Sequence, residues 1–235
     1  MGHHNLHFYG DPSLVYLALR AMYSLPNGRL RPLLSPAYDF MSLSLLVLGI
    51  GSFLFHATLR QAFEFADEFS MMGLVWSMLQ ALLTLRQPPA RARVISVGLT
   101  LVFAAFLAFY LWSAQIIYQV IAFLTALGGV VVRSVWLFHF AKPGLPEERA
   151  KVWRRQSWIA VGVSVVAYVL WNIDLEFCAE LRRLKAQVGL PWAWVLELHG
   201  WWHVLTAVGA GIFMQVTREV REVEEAERVK AGKRE

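Results

Sequence analysis

Three small sets of polar residues interrupt an otherwise apolar chain. Ser52 and His56 lie four residues apart, Asp67 is followed by Glu68, and His199 and His203 are again four apart, in His-Gly-Trp-Trp-His. On an α-helix, positions i and i+4 share a face one turn apart, so Ser52/His56 and His199/His203 can each aim at one point. Three imidazoles from two segments resemble a catalytic zinc site, which has three protein ligands and an open position for water. A His-x-x-x-His pair alone in a membrane helix more often serves hydrogen bonding between helices than a metal site. His56, with Ser52 and Asp67 beside it, is what turns the reading toward a hydrolytic metal centre with no substrate yet specified.

The elements that must position these residues are long and apolar. Of the 235 residues, 57% are hydrophobic and 17% charged, and the mean hydropathy is +0.46. A soluble domain averages about 45–50% apolar and about 25% charged. Disorder, collagen and low-complexity readings fail for lack of the required composition. Cys178 is the only cysteine, so a disulfide scaffold is excluded. Crossing a bilayer as a helix takes about 20 mostly apolar residues. Six stretches qualify: Ala37–Thr58, Phe65–Leu85, Val94–Trp112, Gln115–Phe140, Ser157–Cys178 and Trp192–Val216. Each is apolar around its circumference, as expected for helices in lipid. The fold class is therefore an all-α, polytopic transmembrane helical bundle. It divides into an N-terminal segment 1–36, a six-helix membrane domain 37–216 and a charged tail 217–235. No secretory signal peptide or internal repeat is expected.

Charge sets the orientation. Most of the 22 lysines and arginines fall on one side when the spans alternate. That side holds Arg20, Arg29 and Arg31, the Arg86–Arg93 join, the Lys142–Gln156 join and the tail from Arg218 onward. The positive-inside rule makes it cytosolic, with both chain ends. Basic residues grouped as loop flanks also explain the net charge of +5 without a nucleic-acid partner. In this topology Ser52/His56, Asp67/Glu68 and His199/His203 all fall in the non-cytosolic half of the membrane. Ionisable groups at that depth are costly and usually functional.

The motifs carry a family resemblance. Gly51-Ser-Phe-Leu-Phe-His-Ala-Thr-Leu59 with Asp67-Glu68, Trp171-Asn-Ile-Asp-Leu-Glu-Phe-Cys178 with Gly189-Leu-Pro191, and His199-Gly-Trp-Trp-His-Val-Leu-Thr206 together resemble the alkaline ceramidase family. The shared Ser-x-x-x-His, Asp, His-x-x-x-His pattern is that of a wider superfamily including the progestin and adiponectin receptors. The similarity runs from about Leu17 to Val216. It implies a seven-helix amidase of the endoplasmic reticulum or Golgi membrane. Its substrate would be a ceramide, phytoceramide and dihydroceramide included, cleaved to a sphingoid base and a fatty acid. By motif, His56, His199 and His203 would bind Zn²⁺, Asp67 would be the acidic residue near the reacting water, and Ser52 the serine beside the site. Asp67 would then act as proton carrier or hold a histidine tautomer, and Ser52 would steady the oxyanion or orient the water. The alternative within the superfamily is a lipid receptor with little or no hydrolase activity; the Trp-Asn-Ile-Asp and Phe-Cys signature favours the ceramidase branch.

The chain departs from that family at its start. Leu14–Leu25 resembles the last turns of a further first helix, and the family's calcium-binding acidic cluster has no counterpart beyond Asp11. His3, His4 and His7 read as terminal residues rather than a second metal site. Arg133 is expected either to pair with Asp174 or Glu176 or to snorkel to the interface, and Asn172 with Asp174 to form a polar cluster between helices. Trp112, Trp153, Trp158, Trp192 and Trp194 fit an interfacial belt, while Trp201 or Trp202 faces the site. Gly49, Gly51, Gly128, Gly129, Gly209 and Gly211 suit close helix approach. The orientation has a direct check: in sealed vesicles with the cytosolic face outward, protease should remove a C-terminal epitope tag without detergent. Protection of the tag until detergent is added overturns the topology.

Overall fold

A computed structural model describes residues 40–58, 60–141 and 145–232, with positions 16, 19 and 20. Of the expected first-helix remnant Leu14–Leu25, Tyr16, Leu19 and Arg20 are described and helical; its other residues, with Asp11, His3, His4, His7, Arg29, Arg31 and Lys142, lie outside the described residues. The described chain is helical: α1 Phe40–Thr58, α2 Gln61–Thr84, α3 Pro89–Ser113, α4 Ile116–His139, α5 Glu147–Glu176, α6 Cys178–Val188, a 3-10 turn Trp192–Leu196, and α7 Leu198–Gly232. Prolines mark several starts. Pro89 opens α3, where its missing N–H costs nothing. Pro146 precedes α5, whose first turn carries Glu147 and Glu148 and so complements the helix dipole. Ala114 closes α3 in the left-handed region.

Among the described residues, α1, α3, α4 and α5 are long and apolar enough to cross a membrane. Their outward faces are unsuited to water: α3 buries only Tyr110 while exposing Val94, Leu101, Val102, Leu111 and Trp112. Exposed apolar surface on that scale needs a partner in water and none in lipid. The protein is a helical membrane bundle. The second and last expected spans form α2 and part of α7, with a difference from the expectation of uniform apolarity. Their polar residues turn inward, with Asp67, Ser70 and Ser77 buried on α2 and His203 and Thr217 on α7. Those residues dilute their hydropathy. The last helix also starts later than expected, at Leu198 rather than Trp192, because Trp192–Leu196 winds as a 3-10 turn and Glu197 leaves helical geometry (φ −81, ψ 72). It then continues unbroken through position 217. Its 35 residues span about 50 Å at 1.5 Å per residue, well beyond a hydrocarbon core of about 30 Å.

The helix α2 is the hub, packed on α1, α3 and α4 and touching α7, while α7 runs along α5. With no hydrophobic force between helices in lipid, close backbone approach and interhelical bonds hold such a bundle. Gly209 is the tightest approach: a Cβ there would meet Ser164 Oγ at 2.7 Å and the Ala160 carbonyl oxygen at 3.2 Å. Gly51 meets Ser70 Oγ at 3.1 Å and the Ala66 oxygen at 3.3 Å. Gly128 and Gly211 face open space, so they do not serve the close packing expected of them.

The helix ends on the side of the charged tail are tied by polar bonds. Trp153 donates to Glu219 at 2.7 Å, Arg218 to Ser42 at 3.1 Å, and the Arg86 backbone N–H to Glu224 at 2.9 Å. Trp153 is thus buried between helices rather than part of an interfacial belt, whereas Trp112, Trp158, Trp192 and Trp194 are exposed. Arg133 pairs with neither Asp174 nor Glu176. It bonds the Leu82 carbonyl at 3.4 Å and lies 4.2 Å from the centre of the Trp136 ring, because α4 carries it to the opposite end of the bundle from those acids. Gly209→Val should lower the detergent melting temperature, since overpacking costs about 1–3 kcal/mol. Gly211→Ala should leave it unchanged, and equal effects of the two would contradict the close approach at Gly209.

Candidate metal centre and catalytic site

Three helix ends meet on the side opposite the charged tail. His56 lies in the last turn of α1, Asp67 in the second turn of α2, and His199 and His203 in the first turns of α7. The short α1–α2 join and the late start of α7 therefore bring all of them to one depth. Lys185 of α6 and Glu197, just before α7, form a salt bridge at 2.7 Å with both side chains mostly buried. Asp174 of α5 faces that pair and the His199 backbone N–H. Together they fix where α7 begins. Asn172 stays within its own helix, donating to the Tyr168 carbonyl at 2.7 Å, so the expected Asn172–Asp174 cluster does not form.

The three imidazoles converge. His203 Nε2 lies 3.2 Å from His56 Nε2 and 3.1 Å from His199 Nε2, and all three ligand atoms fall within 4.8 Å of one another. A tetrahedral zinc ion with Zn–N of about 2.0–2.1 Å holds its nitrogens about 3.3 Å apart. The donor set and spacing therefore fit a metal ion, and imidazole donors suit zinc, copper, iron and nickel alike.

Beside the imidazoles, Ser52 is fully buried and Asp67 nearly so. The Ser52 hydroxyl lies next to the Asp67 carboxyl, yet neither Ser52 Oγ nor Asp67 Oδ1 completes a hydrogen bond to any protein atom among the described residues. Buried polar atoms left in this state call for a catalytic role, a water or an ion. Glu68 is engaged differently. Its Oε2 accepts the Tyr110 hydroxyl at 2.7 Å, with the Tyr110 ring enclosed by Phe65, Phe69 and Phe106. The paired acids Asp67 and Glu68 thus divide: one at the imidazoles, the other tying α2 to α3.

Trp202 packs against His199 and His203 and stacks on Trp171 of α5, 5.9 Å between ring centres. Trp201 points away and donates to the Val195 carbonyl. Sequence reasoning left the choice between these two tryptophans open and did not single out Trp171 or Tyr110 as supports. Only the α5–α7 contact shows what Trp171 touches. A cavity of about 390 Å³ opens from Asp67, Trp202 and His203 and runs between α2, α4, α5 and α7 over mostly apolar walls.

A helical membrane bundle with a partly buried three-histidine cluster beside a serine and an aspartate is the class defined so far. A family model described as Ceramidase matches residues 12–233, so the chain belongs to the ceramidase family. Over 213 residues it is 27% identical to alkaline ceramidase 3 of Mus musculus, covering 86% of this chain and 73% of that protein. Over 192 residues it is 23% identical to alkaline ceramidase YPC1 of Saccharomyces cerevisiae, covering 74% of this chain and 59% of that protein. The site generates a prediction independent of substrate. The purified protein should hold about one transition-metal ion per chain by plasma mass spectrometry, and His199→Ala and His203→Ala should each lose it. Full metal content in either variant removes the assignment.

Proposed function

We propose that the protein is a zinc-dependent intramembrane amidase that hydrolyses ceramides to a sphingoid base and a fatty acid. The observation that carries the reading is the convergence of three imidazole Nε2 atoms beside two buried, unsatisfied polar atoms, Ser52 Oγ and Asp67 Oδ1. The family match and the two alkaline ceramidases support the substrate class, and they favour a hydrolase over a lipid receptor.

An amide is a poor electrophile with a poor leaving group, so its hydrolysis needs an activated carbonyl, an activated water and a proton for the departing nitrogen. His56, His199 and His203 would hold the zinc. A bound zinc supplies Lewis acidity that polarises a carbonyl and lowers the pKa of coordinated water to about 7. Asp67 Oδ1 takes a proton as water attacks the amide carbon and returns it to the leaving nitrogen. The Ser52 hydroxyl donates to the oxygen on which charge develops, or orients the water. Trp171 and Trp202 wall the site with apolar surface and hold the histidine rings in place. The substrate never has to leave the bilayer, because the cavity that reaches the imidazoles is itself within the membrane helices.

A membrane catalytic unit spanning 37–216 in the endoplasmic reticulum or Golgi, with a cytosolic C-terminus, completes the proposal.

Release of sphingoid base from ceramide in detergent, followed by mass spectrometry, tests it. Asp67→Asn should reduce kcat by about 10²–10⁴-fold with metal retained, and Ser52→Ala by about 10²–10³-fold. Loss of metal from Asp67→Asn would instead make Asp67 a positioning residue for a histidine. A metal-replete wild-type protein that cleaves no ceramide species would falsify the amidase reading.

A further inference from the structure

The cavity does not end at the histidines. Its far end reaches Arg154 and Ser157 on α5 and His139 at the end of α4. Along α5, Arg154 and the site-facing Trp171 are about 25 Å apart, so about 390 Å³ is drawn out into a channel. The cavity is long and narrow enough to take an extended alkyl chain along its length. Its walls are apolar between the two ends, formed by residues such as Leu127, Val131 and Val161. The far end is polar and cationic: Ser157 Oγ is buried without a hydrogen-bond partner, and no carboxylate pairs with the half-buried Arg154 among the described residues. By the charge pattern this end lies at the cytosolic interface.

We propose that Arg154, with Ser157 and His139, forms a carboxylate site for a long-chain fatty acid whose tail fills the channel toward the histidines. The assignment follows from charge and shape together. A guanidinium presents a planar fork matched to a carboxylate, and the elongated apolar walls between the two ends suit an alkyl tail. Naming the ligand as a fatty acid rests on the amidase reading, for which it is a product. Because hydrolysis forms the carboxylate at the histidines, an acid seated this way enters from the bilayer, with its head at the Arg154 end and its tail toward the metal centre. Sparse contact between α4 and α5 leaves the wall beside the channel open for the chain to slip in from lipid.

The test is direct binding of ¹³C-carboxyl oleate to the purified full chain in nanodiscs, read by NMR and titration, with oleyl alcohol as the uncharged control. Arg154→Gln should weaken oleate binding about tenfold, or about 1.4 kcal/mol, and leave oleyl alcohol unchanged. Arg154→Lys should recover most of the loss, which a misfolded variant would not do. His203→Ala should bind oleate as wild type does. Unchanged oleate affinity in Arg154→Gln overturns the proposal, as does loss of oleate binding in His203→Ala, which would put the carboxylate at the imidazoles. Displacement of oleate by lysophosphatidate at much lower concentration than by oleate itself would assign the site to a phosphate and overturn it too. Failure of ceramide hydrolysis with oleate binding intact would count against the amidase reading alone.

Discussion

Because hydrocarbon neither donates nor accepts hydrogen bonds, each polar side chain inside the bilayer must find its partner within the bundle or remain unsatisfied. That constraint turns the usual pattern inside out. Leucines, valines and tryptophans of α3, α4 and α5 face outward, while Ser42, Ser52, Asp67, Ser70, Ser77 and His203 are buried. Serines on these helices bond mainly to carbonyls of their own preceding turn, as Ser70 does to Ala66 and Ser134 to Val130. The exceptions stand out against this background of local satisfaction. Ser52 and Asp67 lie next to each other, with Ser52 Oγ and Asp67 Oδ1 completing no hydrogen bond among the described residues and the imidazoles beside them.

The geometry of the centre depends on helix ends more than on helix faces. His56 closes α1, Asp67 follows the tight turn into α2, and His199 opens α7. A shift of one residue in any of these boundaries rotates a side chain by about 100°. Several contacts guard the boundaries. Gly51 lets α1 settle against Ala66, Gly209 lets α7 settle against Ala160, and the Lys185–Glu197 bridge fixes the run into α7. Mostly buried from water, that ion pair is screened far less than a surface pair. Its placement explains why a short polar helix, α6, sits between two membrane helices.

The same packing leaves a channel. The helix α2 is bound closely to α1 and α4, and α7 to α5, but α4 and α5 meet only sparsely. A shared core including Leu45, Leu48, Leu74, Met78, Ala207, Ala210 and Met214 joins the two halves, and the cavity is left where α4 and α5 do not close on each other. Apolar walls carry no penalty beside lipid. His203 lines the cavity toward one end and Arg154 toward the other.

Much of this was legible in the sequence for a physical reason: membrane helices are selected by local composition. Six apolar stretches are sufficient for an all-α membrane bundle, and the i, i+4 spacings place Ser52 with His56 and His199 with His203. The motif order carried the family. Other features depend on contacts between distant segments and have no local signature. The late start of α7 was hidden because Trp192–Leu196 is as apolar as a span. Trp153 looked interfacial until Glu219 was seen to accept its indole N–H, and Arg133 proved to reach Leu82 rather than an acid. The sequence by itself determined which residues could reach one leaflet. Only the tertiary structure decided that the three imidazole nitrogens gather within 4.8 Å of one another, because that separation is set by how closely α1, α2, α5 and α7 pack.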